Sequence, residues 1–172
     1  INLNSPDIKT INASKQRILK SARIGKIAGA LSVTFHPAYF GKKSEQETYN
    51  FVKKQLQDIV KQLKKENNDI HIALETVGKV TQFPSFQDAV KLSSEIDQVY
   101  PCIDWAHIHA RSNGKYNTEK EFTEMIDFIK KQLGKEALNF LHMHISGIAY
   151  NEKGEKHHLN LINSDFNYKA LL

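Results

Sequence analysis

Val99-Tyr100-Pro101-Cys102-Ile103-Asp104-Trp105-Ala106-His107 is the stretch whose reading decides the fold. The largely apolar residues Val99, Tyr100, Cys102 and Ile103 make a short buried strand that ends on a carboxylate, with an imidazole three residues later. A rigid strand aims Asp104, and the turn that follows brings His107 to the same mouth. A hard oxygen donor and a borderline nitrogen donor converging there suit Zn²⁺ or Mn²⁺. Taken alone, the pair reads more simply as a capping aspartate and a partly buried histidine. The rest of the chain reverses that weighting.

Upstream, Ile70-His71-Ile72-Ala73-Leu74 is a strand ending on Glu75, and Ala30-Leu31-Ser32-Val33-Thr34-Phe35 is one ending on His36-Pro37. Downstream, Asn139-Phe140-Leu141-His142-Met143-His144-Ile145 repeats the pattern, and Ile1-Asn2-Leu3 reads as the tail of a further strand. Helices separate them. Ile18, Leu19, Ala22, Ile24 and Ile27 recur at helical spacing over Ser14 to Ala28, with Gly25 and Gly29 where a C-cap belongs. Capping boxes open two more helices, at Ser44 with Glu47 and Thr118 with Glu121, the second stopped by Gly134, and Ser85 with Asp88 begins another helix between them. A final helix is expected from Asp165 to Leu172.

Strict alternation predicts a parallel sheet with right-handed crossovers in one α/β domain over 1–172. No Gly-x-Gly-x-x-Gly follows a strand, so a dinucleotide-binding sheet has no fingerprint. His36, Glu75, Asp104 and His144 each fall at the C-terminal end of a strand, the face on which (β/α)₈ barrels build their sites. The expected architecture is therefore a partial (β/α)₈ TIM barrel with about five parallel strands.

Composition narrows the function. The chain has 172 residues, 40% hydrophobic and 25% charged, ordinary for a domain with a core. No window is long and apolar enough for a membrane span, and Ile1-Asn2-Leu3-Asn4-Ser5-Pro6 has no signal-peptide pattern. Cys102, the single cysteine, excludes an internal disulfide and fits a reducing compartment, so a cytoplasmic monomer without a disulfide-linked partner is expected. A net charge of +5 favours an anionic partner, nucleic acid included. Much of that excess lies on helix faces such as Lys53-Lys54 and Lys64-Lys65.

Besides the four strand-end residues there are His107 and, after the last strand, Glu155, His157 and His158. That is more donors than one tetrahedral ion takes. A bridging carboxylate, Glu75 or Asp104, holding two ions would stabilise both the attacking and the leaving oxygen of an in-line phosphoryl displacement. The ordered motifs Thr34-Phe35-His36-Pro37-Ala38-Tyr39, Leu74-Glu75-Thr76, Cys102 to His107, Met143-His144-Ile145-Ser146-Gly147 and Gly154-Glu155-Lys156-His157-His158 resemble the endonuclease IV family of abasic-site endonucleases, in its archaeal-like branch. The resemblance covers nearly the whole chain.

It implies up to three zinc ions, with Mn²⁺ or Mg²⁺ as substitutes. His36 and Glu75 would share one; Glu75, the catalytic carboxylate, would hold a second with Asp104 and His144; His107, Glu155 and either His157 or His158 would hold a third. The family usually has aspartate at the position of Glu155, two before its histidine, while a Glu-x-x-His-Leu pattern selects His158; the register stays open. The resemblance also implies another zinc histidine before Ile1 and a bridging glutamate after Leu172, so the chain reads as a fragment lacking two strands before and one after.

The implied reaction is attack of metal-activated water on the phosphodiester 5′ of an abasic site in double-stranded DNA, leaving a 3′-hydroxyl and a 5′-deoxyribose phosphate. Tyr39 and Lys42, in the loop from His36 to Lys43, and Arg111 and Tyr116, around Asn113-Gly114, are the candidate DNA contacts. As ordinary surface turns, both loops are explained equally well. His71 and His142 read as core histidines or as supports behind the ligands, His109 as a support for His107, and Cys102 as an inert buried thiol. Two rivals stand beside this reading: a divalent-metal sugar isomerase or epimerase on the same type of barrel, and an inactive remnant poor in metal.

Overall fold

The computed structural model describes residues 1–171. Four strands, β1 (Ser32–Phe35), β3 (His71–Glu75), β5 (Val99–Asp104) and β6 (His142–His144), form one parallel sheet in the order β1-β3-β5-β6. β2 (Ala38–Tyr39) and β4 (Gln82–Phe83) pair antiparallel, as do β7 (Gly147–Asn151) and β8 (Gly154–Leu159). The helices are α1 (Ile8–Ile27), α2 (Glu45–Lys65), α3 (Phe86–Glu95), α4 (Trp105–Arg111) and α5 (Glu119–Leu133). This is the α/β half-barrel that strand–helix alternation predicts, with one correction to the strand count. Ile1–Leu3 joins no ladder: its backbone turns, and Leu3, fully buried, donates its N–H to the carbonyl of Pro37 at 2.9 Å.

Other local expectations shift for identifiable reasons. Helix α1 starts at Ile8 because Asp7, ahead of Ser14, supplies the N-cap, accepting from the N–H groups of Lys9 and Thr10 at 3.0 and 3.2 Å. Where the helix from Asp165 is expected, the described residues form a 3₁₀ turn, Tyr168–Leu171, and Leu172 lies outside the described residues. The capping boxes at Ser44 and Thr118 form as read, Ser85 with Asp88 closes a third, and Gly134 closes α5 at a φ of 83°, the left-handed region glycine tolerates.

Alternation along each strand divides the sheet into two faces. Val33, Phe35, Ile72, Leu74 and Val99 pack outward with α1 and α2 around Leu56, Ile59 and Leu63. Ile103 packs with α3 and α5 through Val90, Phe122 and Ile129, and Trp105 sits edge-on to Phe122 at 5.3 Å. The opposite face carries Ser32, Thr34, His71, Ala73, Tyr100, Cys102 and His142, and its upper ends carry the candidate ligands. No helix among the described residues is long and apolar enough to cross a membrane.

The Thr118 cap makes a measurable contribution. Its hydroxyl accepts from the N–H of Glu121 at 3.3 Å, and the Glu121 carboxylate accepts in return from the N–H groups of Tyr116, Asn117 and Thr118 at 2.9–3.1 Å. Thr118→Ala should lower the free energy of unfolding by about 1 kcal/mol with an unchanged m-value in urea; a loss below roughly 0.3 kcal/mol would show that the Glu121 side chain alone holds the loop.

Candidate metal centre

The four strand-end residues do converge. Glu75 is the last residue of β3, Asp104 of β5 and His144 of β6, and His36 directly follows β1. Because neighbouring strands run parallel and in register, Asp104 opposite His144 and Glu75 opposite Cys102, the sheet delivers these side chains to one rim. Glu75 lies at its centre. Its carboxylate accepts from His144 Nδ1 at 2.8 Å, faces His36 Nε2 at 3.3 Å and comes within 3.8 Å of His107 Nδ1. Burial alone would raise its pKa; hydrogen bonds from His36 and His144, with the charges of His36 and His107, outweigh burial and hold it at about 2. The same hydrogen bond raises His36 above the ordinary histidine value, against an opposing effect of burial.

His107 reaches this rim because Asp104 ends a strand and starts a helix at once. Asp104 Oδ1 accepts the N–H of His107 at 2.8 Å, the N-cap of α4, and the first turn of that helix places the ring over the strand ends. The sequence predicts only a turn here, because seven residues give too little periodicity to reveal a helix. Burial pushes the Asp104 carboxyl up, while His107 and its N–H oppose this in part.

Thr76, given no role by the sequence reading, clasps the site. Its hydroxyl accepts the N–H of Asp104 at 2.9 Å and donates to the Asp104 carbonyl at 3.3 Å, and its own carbonyl lies 2.9 Å from His107 Nδ1. A carbonyl only accepts, so Nδ1 of His107 carries the hydrogen and the neutral ring keeps its lone pair on Nε2. That Nε2 lies 3.3 Å from His158 Nε2 and 3.6 Å from Glu155 Oε2. Two imidazoles on one tetrahedral zinc stand about 3.3–3.4 Å apart at ordinary Zn–N lengths. On its far side, His158 Nδ1 meets the hydroxyl of Ser146 at 2.7 Å. Both histidines therefore carry the outer hydrogen-bonding partner that orients a metal-binding imidazole.

The open register at the His157-His158 pair has a structural reason. Across the β7–β8 ladder Tyr150 faces Glu155 and Ala149 faces His157, which leaves Lys156 unpaired as a bulge. The extra residue turns the ordinary two-residue alternation into a three-residue one, so Glu155 and His158 share the side that faces His107. His157 is exposed and belongs to none of the groups of converging donors among the described residues. The hairpin itself docks through the carbonyl of Gly78, which accepts the N–H of Glu155 at 2.9 Å. A Cβ on Gly78 would lie 2.7 Å from Glu155 Cβ and 3.0 Å from His107 Cδ2, so the approach requires glycine.

Other candidates land elsewhere. Tyr39 is 48% exposed and Lys42 is exposed, on the loop that leaves His36. Arg111, expected to face outward, turns in and donates Nη1 to the backbone carbonyls of Lys79 and Gln82, bracing the loop that contains Gly78. Tyr116 packs among Phe122, Met125 and their neighbours. His109 is fully buried and turns from His107 to the Lys115 carbonyl and Asp165. Cys102 is fully buried, and burial pushes its thiol up to about 12, so the free thiol stays protonated at neutral pH.

As donor sets two groups fit divalent cations: His107, His158 and Asp104, with Glu155 alongside; and Glu75, Asp104 and His144. His36 and His107 also gather at Glu75, but His107 faces it through Nδ1, the nitrogen that carries the hydrogen. Within each of the three-residue groups one ligand atom per residue lies within 4.8 Å of the others.

Comparison with known proteins follows the same lines. A family described as xylose isomerase-like TIM barrel matches residues 1–172. An uncharacterized protein of Methanocaldococcus jannaschii is 39% identical over the whole chain, which spans 62% of that relative's length. Endonuclease IV of Thermus thermophilus superposes with a TM-score of 0.74 over 99% of this chain and 59% of its own, at 14% identity. D-psicose 3-epimerase of Clostridium cellulolyticum, with D-tagatose, gives 0.61 over 85% of this chain and 48% of its own, at 15% identity. A 3-keto-D-glucoside 4-epimerase of E. coli gives 0.58 over 84% and 54%, at 14% identity.

The bulge makes a prediction that separates neighbouring histidines. His158→Gln should lower zinc affinity roughly ten- to a hundred-fold in competition with a chromophoric chelator, while His157→Gln leaves it unchanged. Equal losses would mean that the hairpin presents either residue. Protonation of His36 stabilises the metal-free fold below its unfolded value, and that contribution fades as pH rises through its raised folded value. Zinc, which displaces the proton, should therefore raise the melting temperature more at about pH 8 than at about pH 5.5.

Proposed function

This chain belongs to the xylose isomerase-like TIM barrel family, and within it we propose that the chain carries the metal-holding face of a zinc-dependent phosphodiesterase that cleaves DNA on the 5′ side of abasic sites, as its resemblance to endonuclease IV implies. The observation that carries this reading is the pairing of His107 Nε2 with His158 Nε2 at 3.3 Å, beside Glu155 and next to the Glu75–Asp104–His144 group. A site for one ion uses either group alone. Two adjacent groups suit a scissile phosphate, whose attacking and leaving oxygens both need stabilising.

When bound, the ions supply Lewis acidity toward a phosphate oxygen and lower the pKa of a nearby water. The chain's own residues hold that arrangement in place. Glu75 remains ionised because His36 and His144 hydrogen-bond to it, so its carboxylate would be ready to hold a cation. Thr76 holds Asp104 and His107 in one orientation, and Ser146 does the same for His158. Tyr39 and Lys42, exposed on the loop next to His36, are the residues we assign to DNA, a ring to wedge into an unstacked duplex and an ammonium for its phosphates. A cytoplasmic setting accords with that substrate.

One finding favours a second reading. Sugar epimerases share this fold, and Glu75, Asp104 and His144 by themselves form an oxygen-rich group suited to one divalent ion and a sugar. An end-labelled duplex with a single abasic site discriminates the two. Zinc-loaded chain should nick it at that site, leaving a 3′-hydroxyl, and a chelator should abolish the cut. Conversion of ketohexoses with Mn²⁺ or Mg²⁺, without any nicking, would overturn the phosphodiesterase reading in favour of the epimerase.

A further inference from the structure

Below the rim, on the face of the sheet away from the helices, Cys102, His142 and His144 form a cluster that the proposed reaction does not use as a unit. One donor atom from each lies within 4.8 Å of the others. The sulfur of Cys102 is 3.8 Å from Nε2 and 3.9 Å from Nδ1 of His144, and the rings of His142 and His144 stand edge to face with centroids 4.8 Å apart. A thiolate and an imidazole on one tetrahedral ion stand about 3.6 Å apart at ordinary bond lengths, close to the Cys102–His144 separation. It arises from register: Cys102 pairs with His142 across β5 and β6, and His144 follows two residues on, pointing to the same face.

Each histidine is already oriented for such a role. His142 Nδ1 lies 3.3 Å from the hydroxyl of Ser32 on β1, which leaves its other nitrogen for a ligand. His144 Nδ1 faces the Glu75 carboxylate at 2.8 Å, as the donor to a carboxylate oxygen that accepts. The hydrogen of the neutral ring is then on Nδ1 and the lone pair on Nε2, the nitrogen nearer Cys102. A carboxylate–histidine–metal relay has this arrangement.

We propose that Cys102, His142 and His144 form a second, inner cation site that takes a thiophilic ion such as Zn²⁺, Cd²⁺ or Cu⁺. The donors decide the class, one sulfur and two imidazoles against the oxygen-rich groups above. Binding turns the Cys102 thiol into a thiolate; its proton leaves for solvent, and both imidazoles bind as neutral donors, so each ion displaces one proton. A neutral imidazole has one lone pair. His144 therefore serves either the inner site through Nε2 or the Glu75–Asp104 group through Nδ1, and a thiophilic ion in the inner site competes with the outer group for this residue.

Cobalt(II) under a non-chelating reductant tests it. Titration should produce a near-ultraviolet thiolate-to-cobalt charge-transfer band together with visible ligand-field absorption. Since Cys102 is the chain's single cysteine, the band reports this site alone. His142→Gln, at a half-buried position at the start of β6, should remove the band while circular dichroism shows the fold retained. His158→Gln should keep the band. Ligand-field absorption without a charge-transfer band in the unaltered chain, or a band of full strength in His142→Gln, would overturn the proposal. The two readings fail separately, because the charge-transfer band tests the inner site and nicking of the abasic duplex tests the phosphodiesterase.

Discussion

The contact on which the rim depends joins the ring of His107 to the backbone of Thr76. A backbone carbonyl cannot change its role, so it dictates which nitrogen of His107 keeps a hydrogen and which offers a lone pair. The hydroxyl of the same threonine fixes the N–H of Asp104. Thr76 itself is set by the parallel pairing of β3 with β5, where its N–H donates to the carbonyl of Cys102 at 3.0 Å. Sheet register thus carries through to ligand orientation with no flexible link between them. That is the rigidity a metal centre needs, since ligands held loosely lose affinity as quickly as ligands of the wrong type.

A second constraint comes from glycine. Gly78 lets the β7–β8 hairpin approach closely enough for Glu155 to reach the His107 ring, and Gly154, at a φ of 91°, brings the hairpin backbone against the carbonyl of Gly78. Arg111 braces the same loop from α4. The trio of His107, Glu155 and His158 therefore draws on a strand-end helix, a bulged hairpin and a glycine loop that are remote in sequence, all converging on one nitrogen-to-nitrogen distance.

Much of this was legible beforehand. A polar residue at the end of each apolar run marks the C-terminal rim of a parallel sheet, and His36, Glu75, Asp104 and His144 stand there because period-2 alternation and strand length together fix which residue comes last. Capping boxes were equally readable, since they depend on contacts three residues apart. What stayed hidden depends on longer-range geometry. The bulge at Lys156, which turns His158 and not His157 toward the site, exists only in the pairing of two strands. Arg111 looked like a surface cation; its carbonyl partners, Lys79 and Gln82, come from a loop far upstream. Ile1–Leu3 has the composition of a strand but no neighbouring ladder to join.

The central claim is that His107 and His158 share one cation through their Nε2 atoms. The most direct measurement is a crystal structure of the zinc-soaked protein with anomalous differences collected on either side of the zinc edge. The account predicts a zinc peak between the two nitrogens, within bonding distance of Glu155, with the Nδ1 of His107 still on the Thr76 carbonyl. A zinc-free gap between those rings, with the metal bound only at other residues, would contradict it.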